Sequence, residues 1–327
     1  IDSNSNDYER MKEYGNVVAH GSRQHMLLQM IADFIVSSAG DEEVINPWHQ
    51  NLAKSEVIRD FLSKPEFIFL QHGITKDDIS GWLNRYNKNI TGFVCAAHRE
   101  AQSILDYDYY YKEENVWLTG FPRHDRLYNN EKKYVTIMPT WRKWLTDGKN
   151  GNKPVKEFVH SDYYKFFNGL INCNRLLIAA EKYGYSICFM PHPSVQQVLN
   201  LFEKDRRVNF FASEKPYNEI YAESNLVVTD YSSACMDFAL LEKPVIYCQF
   251  DEKQFFENHT LKHGYFDYVK DGFGEVTYDM DSLVDVMISY MKNDCRVREP
   301  YKSRMSQFFA FHDHGNCERV YRKIKDL

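Results

Sequence analysis

The sequence predicts an α/β protein made of two Rossmann-like domains that face each other across a cleft. Three observations support this. Short apolar runs alternate with helix-length segments along the whole chain, the pattern restarts once after Gly120, and no low-complexity linker separates the halves. The 327 residues are enough for two hydrophobic cores.

Val17–His20 reads as a strand, Gln24–Ala32 as a helix and Phe34–Ser38 as a strand. A helix near Ser55–Leu62 is followed by strands at Phe67–Gln71 and Gly92–Ala96, a helix at Glu100–Leu105 and a strand at Val116–Thr119. These elements define residues 1–125 as a partial first domain, whose opening strands are expected upstream of Ile1. The second domain, residues 126–300, opens with a strand at Tyr134–Met138. A polar Gly/Lys-rich stretch, Thr146–Lys156, reads as a surface loop. One long helix is expected over Tyr163–Tyr183, then strands at Tyr185–Met190 and Val208–Phe211. A helix at Tyr217–Glu223, a strand at Leu226–Thr229, a helix at Ser233–Leu241 and a strand at Val245–Cys248 follow, with a helix near Asp281–Lys292. Residues 301–327 close the chain as helix, expected to pack back on the first domain.

A 15% aromatic content and a 43% hydrophobic content indicate a folded chain, and the net charge of -6 argues against a nucleic-acid partner. The seven cysteines form no C-x-x-C pair and the histidines have no metal-ligand spacing, so no metal is expected and a reducing, cytoplasmic compartment is. No apolar run approaches membrane-spanning length. Neither G-x-x-x-x-G-K-[ST] nor G-x-G-x-x-G occurs, which disfavours a P-loop ATPase and a dinucleotide enzyme.

In open α/β folds ligands bind beyond the carboxyl ends of the strands, and four polar clusters fall there. Gln71-His72-Gly73 offers an imidazole that can accept a proton near neutral pH, beside a glycine that permits close approach of a ligand. A structural histidine is an equally good reading from position alone. Pro191-His192-Pro193 fixes the backbone around a second imidazole, suited to a phosphate or a leaving group, or is an ordinary proline-rich strand exit. Thr229-Asp230-Tyr231-Ser232-Ser233 forms a strand–turn–helix unit whose helix start suits a phosphate, with Asp237 one turn on in reach of a ribose hydroxyl. A plain helix cap is the commoner use of such a segment. Arg123 and Arg142 follow two further strands; guanidinium groups can clamp phosphates. Arg123 reads better as one arm of a salt bridge with Asp125 or another cleft carboxylate, Arg142 better as a phosphate ligand.

The order of these motifs is more specific than any one of them. His72-Gly73, Gly120-Phe121-Pro122-Arg123-x-Asp125-x-Leu127, Pro139-Thr140-Trp141-Arg142, Pro191-His192-Pro193 and Thr229–Ser233 with Asp237-Phe238-Ala239 follow one another in register. Together they resemble the CDP-glycerol glycerophosphotransferase family, the teichoic-acid and capsule polymerases and primases of bacteria. Lys243-Pro244-Val245, Gln249-Phe250-Asp251 and Gly264-Tyr265-Phe266-Asp267 extend the match, which runs from about Val17 to the C-terminus.

The resemblance implies a GT-B fold, a CDP-glycerol or CDP-ribitol donor, no required cofactor or metal, an acceptor-side first domain, and an acceptor that is a polyol phosphate or glycan, free or lipid-linked. It assigns His72 as the base and His192 as a contact to the donor phosphate, with the Asp230–Ser233 segment holding the donor's phosphates. Arg142, Thr229, Tyr231 and Asp237 complete the expected donor side; Gln71, Gly73 and Arg123 are expected toward the acceptor. Many family members have Trp-His-Gly-Thr where this chain has Gln71-His72-Gly73-Ile74, a Gln-His-Gly form that looks like the subgroup near capsule and surface-polymer loci. The family's place implies peripheral contact with the inner membrane face. Two rivals stand beside this reading: a sugar-nucleotide glycosyltransferase or epimerase on the same fold, and a non-catalytic polyanion-binding module.

Overall fold

Strands form where β-branched and aromatic residues cluster, and they assemble into two parallel sheets. The computed structural model describes residues 1–327 except 4, 6, 50–54, 63, 148–152, 155, 156, 212–214 and 259–261. In the first sheet Phe34–Ser37 (β1), Glu66–Phe69 (β2), Ile90–Cys95 (β3) and Val116–Leu118 (β4) lie side by side in chain order. In the second half Tyr134–Ile137 (β5) precedes a short antiparallel hairpin, Thr146–Asp147 (β6) with Lys153–Pro154 (β7). Then come Ser186–Phe189 (β8), Val208–Phe210 (β9), Ser224–Thr229 (β10), Val245–Cys248 (β11) and Val276–Thr277 (β12).

The second sheet has the order β12-β11-β10-β5-β8-β9. Counted from β5 along the chain this is the doubly wound order 3-2-1-4-5-6, with its reversal between β5 and β10. β10 sits in the middle, and all six of its residues are buried, as its unbroken Leu-Val-Val run requires of a strand covered on both faces.

Four sequence expectations change. Val17–His20 forms no strand; its backbone hydrogen-bonds Ile1, through Ile1 N to the Val18 carbonyl and His20 N to the Ile1 carbonyl. The Tyr163–Tyr183 helix is two helices, Asp162–Ile171 and Asn174–Tyr183. The break falls at Asn172, whose side-chain amide donates to the Asn168 and Glu203 carbonyls and so competes with the helical ladder. The expected loop Thr146–Lys156 contains the β6–β7 hairpin, and its remaining residues lie outside those described. The Val276–Thr277 strand, too short to show a period, was not expected.

One apolar core joins the two sheets. Ile68, Val94 and Trp117 of the first pack in the same cluster as Val227, Phe238 and Phe309 of the second half. The Asp125 carboxylate accepts the amides of Asn316 (2.9 Å) and Cys317 (2.7 Å), fixing the start of the last helix, Asn316–Lys325, against the turn after β4. Arg319 Nε adds a bond to the Thr119 carbonyl at 2.8 Å.

Candidate active site

The carboxyl ends of both sheets open onto one cavity of about 580 Å³. The turn after β2 supplies Gln71, His72 and Gly73 from one side, and Arg123 follows β4. Thr140 and Trp141 follow β5, His192 follows β8, and Tyr231, Ser232, Ser233 and Asp237 follow β10. The cavity therefore lies at the reversal point of the second sheet, where β5 and β10 diverge and leave a crevice.

The turn bearing His72 is tightly specified. Gln71 has a φ of 61°, which a non-glycine residue adopts only when its surroundings demand it. Its side chain meets that demand: Oε1 accepts the His72 amide at 3.0 Å and Nε2 donates to Thr75 Oγ1 at 2.6 Å. Its carbonyl accepts Arg123 Nη1 at 3.0 Å. Gly73 is small because a Cβ there would sit 2.6 Å from Ser233 Oγ, on the opposite domain.

The two imidazoles are poised differently. His192 Nδ1 accepts the Ser194 amide at 3.2 Å, so the neutral ring carries its proton on Nε2 and is a donor there. His72 donates to the Ser38 carbonyl, which leaves its other ring nitrogen with a lone pair. Burial lowers the pKa of both rings, and the Arg123 guanidinium lowers that of His72 further. Each is thereby favoured as neutral imidazole, one as proton acceptor and one as donor. Trp141 stacks near His192 with ring centroids 6.1 Å apart.

Three residues expected at the donor do not line the cavity. Arg142 is 1% exposed and sits behind it. Its guanidinium binds Asp251 through Nε (2.7 Å) and Nη2 (3.0 Å), lies 2.9 Å from Asp230 Oδ2, and donates Nη1 to the Thr140 carbonyl at 2.7 Å. Asp230 is buried with it and accepts the Thr140 and Tyr231 amides. Thr229 turns its hydroxyl to the Met138 carbonyl at 2.8 Å. This charge cluster ties the ends of β5 and β10 together and engages the Arg142 guanidinium with Asp230 and Asp251, where the motifs suggested phosphate contacts.

Asp237 does reach the cavity, but both its oxygens are taken. Arg123 binds it bidentately at 2.7 and 2.9 Å, and His124 Nε2 lies 3.0 Å away. Burial works against its ionisation, yet Arg123 and His124 more than offset this and hold the carboxyl well below the usual range. The carboxylate expected at a ribose hydroxyl is thus the partner of Arg123, which joins the domains through a salt bridge with Asp237 and not with Asp125.

Residues that sequence reasoning missed also line the cavity: Thr75, Lys76 and Asp77 after the His72 turn, and Tyr217 and Tyr221 on the helix Tyr217–Glu223. Lys76 is buried and ion-paired with Asp77, its ammonium 5.2 Å from the Tyr268 ring. The Lys76-Asp77-Asp78 run was the available signal for Lys76; the tyrosines carried none.

Residues 2–326 match the profile of the family described as CDP-glycerol:poly(glycerophosphate) glycerophosphotransferase. The chain belongs to that family. The minor teichoic acid biosynthesis protein GgaB of Bacillus subtilis (strain 168) is 42% identical over 332 residues, covering 100% of this chain and 36% of GgaB. The teichoic acid ribitol-phosphate polymerase TarK of Staphylococcus aureus (strain NCTC 8325 / PS 47) is 26% identical over 235 residues, covering 66% of this chain and 41% of TarK. The chain thus spans well under half the length of these relatives. Among solved structures, a variant of the wall teichoic acid polymerase TagF soaked with CDPG superposes with a TM-score of 0.67 at 16% identity, covering 98% of this chain and 84% of that one. The UDP-GlcNAc 2-epimerase of Methanocaldococcus jannaschii gives 0.52 at 13% identity, covering 96% and 83%. These likenesses identify the fold as GT-B type.

Proposed function

We propose that this glycerophosphotransferase-family chain transfers an alditol phosphate, glycerol phosphate in the first instance, from a CDP-alditol to the terminal hydroxyl of a cell-surface polymer or its lipid-linked primer. The observation that supports this best is the pairing of two neutral imidazoles of opposite hydrogen-bonding sense, His72 and His192, on one cavity at the β5–β10 crevice. In this reading the CDP-alditol pyrophosphate lies by the Ser232–Ser233 turn, and the His192 Nε2–H donates to a phosphate oxygen. His72 takes the proton of the acceptor hydroxyl. The freed oxygen attacks the alditol-bearing phosphorus, the bond from that phosphorus to the bridging oxygen breaks, and CMP leaves with the electron pair. Alignment and charge stabilisation are the main demands of such a transfer.

The identity of the released nucleotide tests the reaction. The protein is incubated with CDP-glycerol, CDP-ribitol or UDP-sugars and an oligomeric or lipid-linked acceptor. CMP from a CDP-alditol supports the proposal; a nucleoside diphosphate from a UDP-sugar would replace it with glycosyl transfer, and polymer binding without any nucleotide release would replace it with a binding module.

The proposal also places the protein in the cytoplasm against the inner membrane face. Among the described residues no helix is long and apolar enough to cross a membrane. Support for surface contact comes from helices Arg23–Ile31 and Ser55–Leu62, which border one cavity through Gln29 and Arg59. They expose Leu27, Ile31, Val57 and Phe61 to solvent. Sedimentation with anionic vesicles, lost on Phe61→Ser with Ile31→Ser, checks this contact; equal sedimentation of the double variant would refute it.

A further inference from the structure

Glu100 is a buried ionisable group that the proposed reaction does not use. It lies in the first turn of the helix His98–Asp106 and is wholly buried. Its Oε1 accepts the Thr75 amide at 2.7 Å and its Oε2 the Ala96 amide at 2.7 Å. Among the described residues it has no salt-bridge partner: Arg123, the cation that acts on it, gives its hydrogen bonds to Asp237 and to the Gln71 carbonyl. A carboxylate kept without an ion-pair partner in the interior is costly to the fold, which directs attention to what it holds.

It holds the turn that presents His72. Thr75, fixed through its amide by Glu100, accepts Gln71 Nε2, and Gln71, in its left-handed conformation, receives the His72 amide on Oε1. We infer that Glu100 is the positioning residue for the His72 turn, anchoring it to the end of β3 through paired acceptor oxygens. The inference rests on His72 serving as the base. Both oxygens accept N–H groups, so a neutral side chain of the same size cannot serve both equally: a glutamine amide faces a donor on one side, and a carboxylic O–H is a weaker acceptor there than a carboxylate oxygen.

Burial raises the Glu100 pKa to about 7, against the lowering effect of its amide bonds and of Arg123. Arg123, Cys95, Tyr109 and Tyr265 are the charged or titratable groups that face it. The raised value has a definite sign. Glu100 favours the fold below the ordinary glutamate range and that contribution is lost as pH rises through about 7, whereas the anchor is complete only when the group is ionised. Stability and positioning therefore run in opposite directions at this residue.

Glu100→Gln tests this. At pH 8 the variant should unfold at a temperature no lower than wild type and bind CDP with unchanged Kd, while kcat for CMP release falls about 10- to 100-fold. The wild-type kcat should drop as pH falls through about 7, and the variant should lack that step. Protection of the Thr75 amide against hydrogen exchange, taken relative to the intrinsic rate at each pH and needing no turnover, should be lower in the variant and in wild type at low pH. Wild-type kcat, pH profile and Thr75 exchange in the variant would overturn the inference. Absence of CMP release from the wild type would instead sink the proposed reaction, with exchange still deciding the role of Glu100.

Discussion

Gly73 and Ser233 meet across the cleft so closely that a methyl group on Gly73 would lie 2.6 Å from the Ser233 hydroxyl and 3.5 Å from its Cβ. The His72 turn of one domain thus sits directly on the helix start of the other, and one added carbon would have to turn the Ser233 hydroxyl aside. Gly73→Ala should destabilise the protein by up to about 1 kcal/mol, the cost of turning the Ser233 hydroxyl to another rotamer, and weaken CDP binding. Adding Ser233→Ala removes the clashing oxygen and leaves an ordinary contact, so the double variant should recover most of the stability. Denaturant unfolding of the two single variants and the double gives the coupling energy, and additivity would contradict the contact.

Arg142 supplies the second expectation. Its side chain is fully buried between Asp230 and Asp251, so removing it leaves carboxylates without their cation. Arg142→Ala should cost about 3–5 kcal/mol of stability, read by denaturant unfolding. Arg142→Lys should rescue only part, because an ammonium cannot make the bidentate pair with Asp251. A variant of wild-type stability with weakened CDP binding would restore Arg142 to the phosphates.

Asp237 makes stability depend on acid in a definite sense. Its folded pKa is depressed, so its contribution is complete above the ordinary carboxylate range and is lost as pH falls through the lower folded value. Asp237→Asn should reduce stability at pH 7 and flatten its decline below pH 4. Thermal unfolding between pH 7 and pH 3 measures both.

His192 is expected to act through its Nε2 proton. Glutamine can present an amide donor near that position and alanine cannot. His192→Ala should lower kcat about 10²–10³-fold, and His192→Gln should retain more activity. Equal loss in the two variants, measured by CMP release, would argue against the donor role.

How much of this was legible follows from the range of the interactions. The strand–helix alternation and the polar clusters at strand ends are local, so His72, His192 and Ser232–Ser233 could be picked out and the structure puts them on one cavity. The partners of Arg142 and Asp237 were not legible because they are remote in sequence: Asp251 lies 109 residues from Arg142, and Arg123 lies 114 residues from Asp237. A lone arginine after a strand looks the same whether it faces a ligand or a carboxylate. Glu100 was hidden in the same way, since nothing in an amphipathic helix marks one glutamate as facing the core. The break at Asn172 was missed because apolar residues keep helical spacing on both sides of it. The opposite hydrogen-bonding sense of the imidazoles depends on the Ser38 carbonyl and the Ser194 amide, and the first of these belongs to another strand end.

The role of His72 is tested most directly by measuring CMP release and CDP affinity side by side in His72→Ala. Turnover should fall about 10²–10⁴-fold while the Kd for CDP stays at the wild-type value, because the proposed reaction seats the nucleotide on the opposite domain. Undiminished turnover, or a loss of CDP binding equal to the loss of rate, would contradict the assignment of His72 as the base.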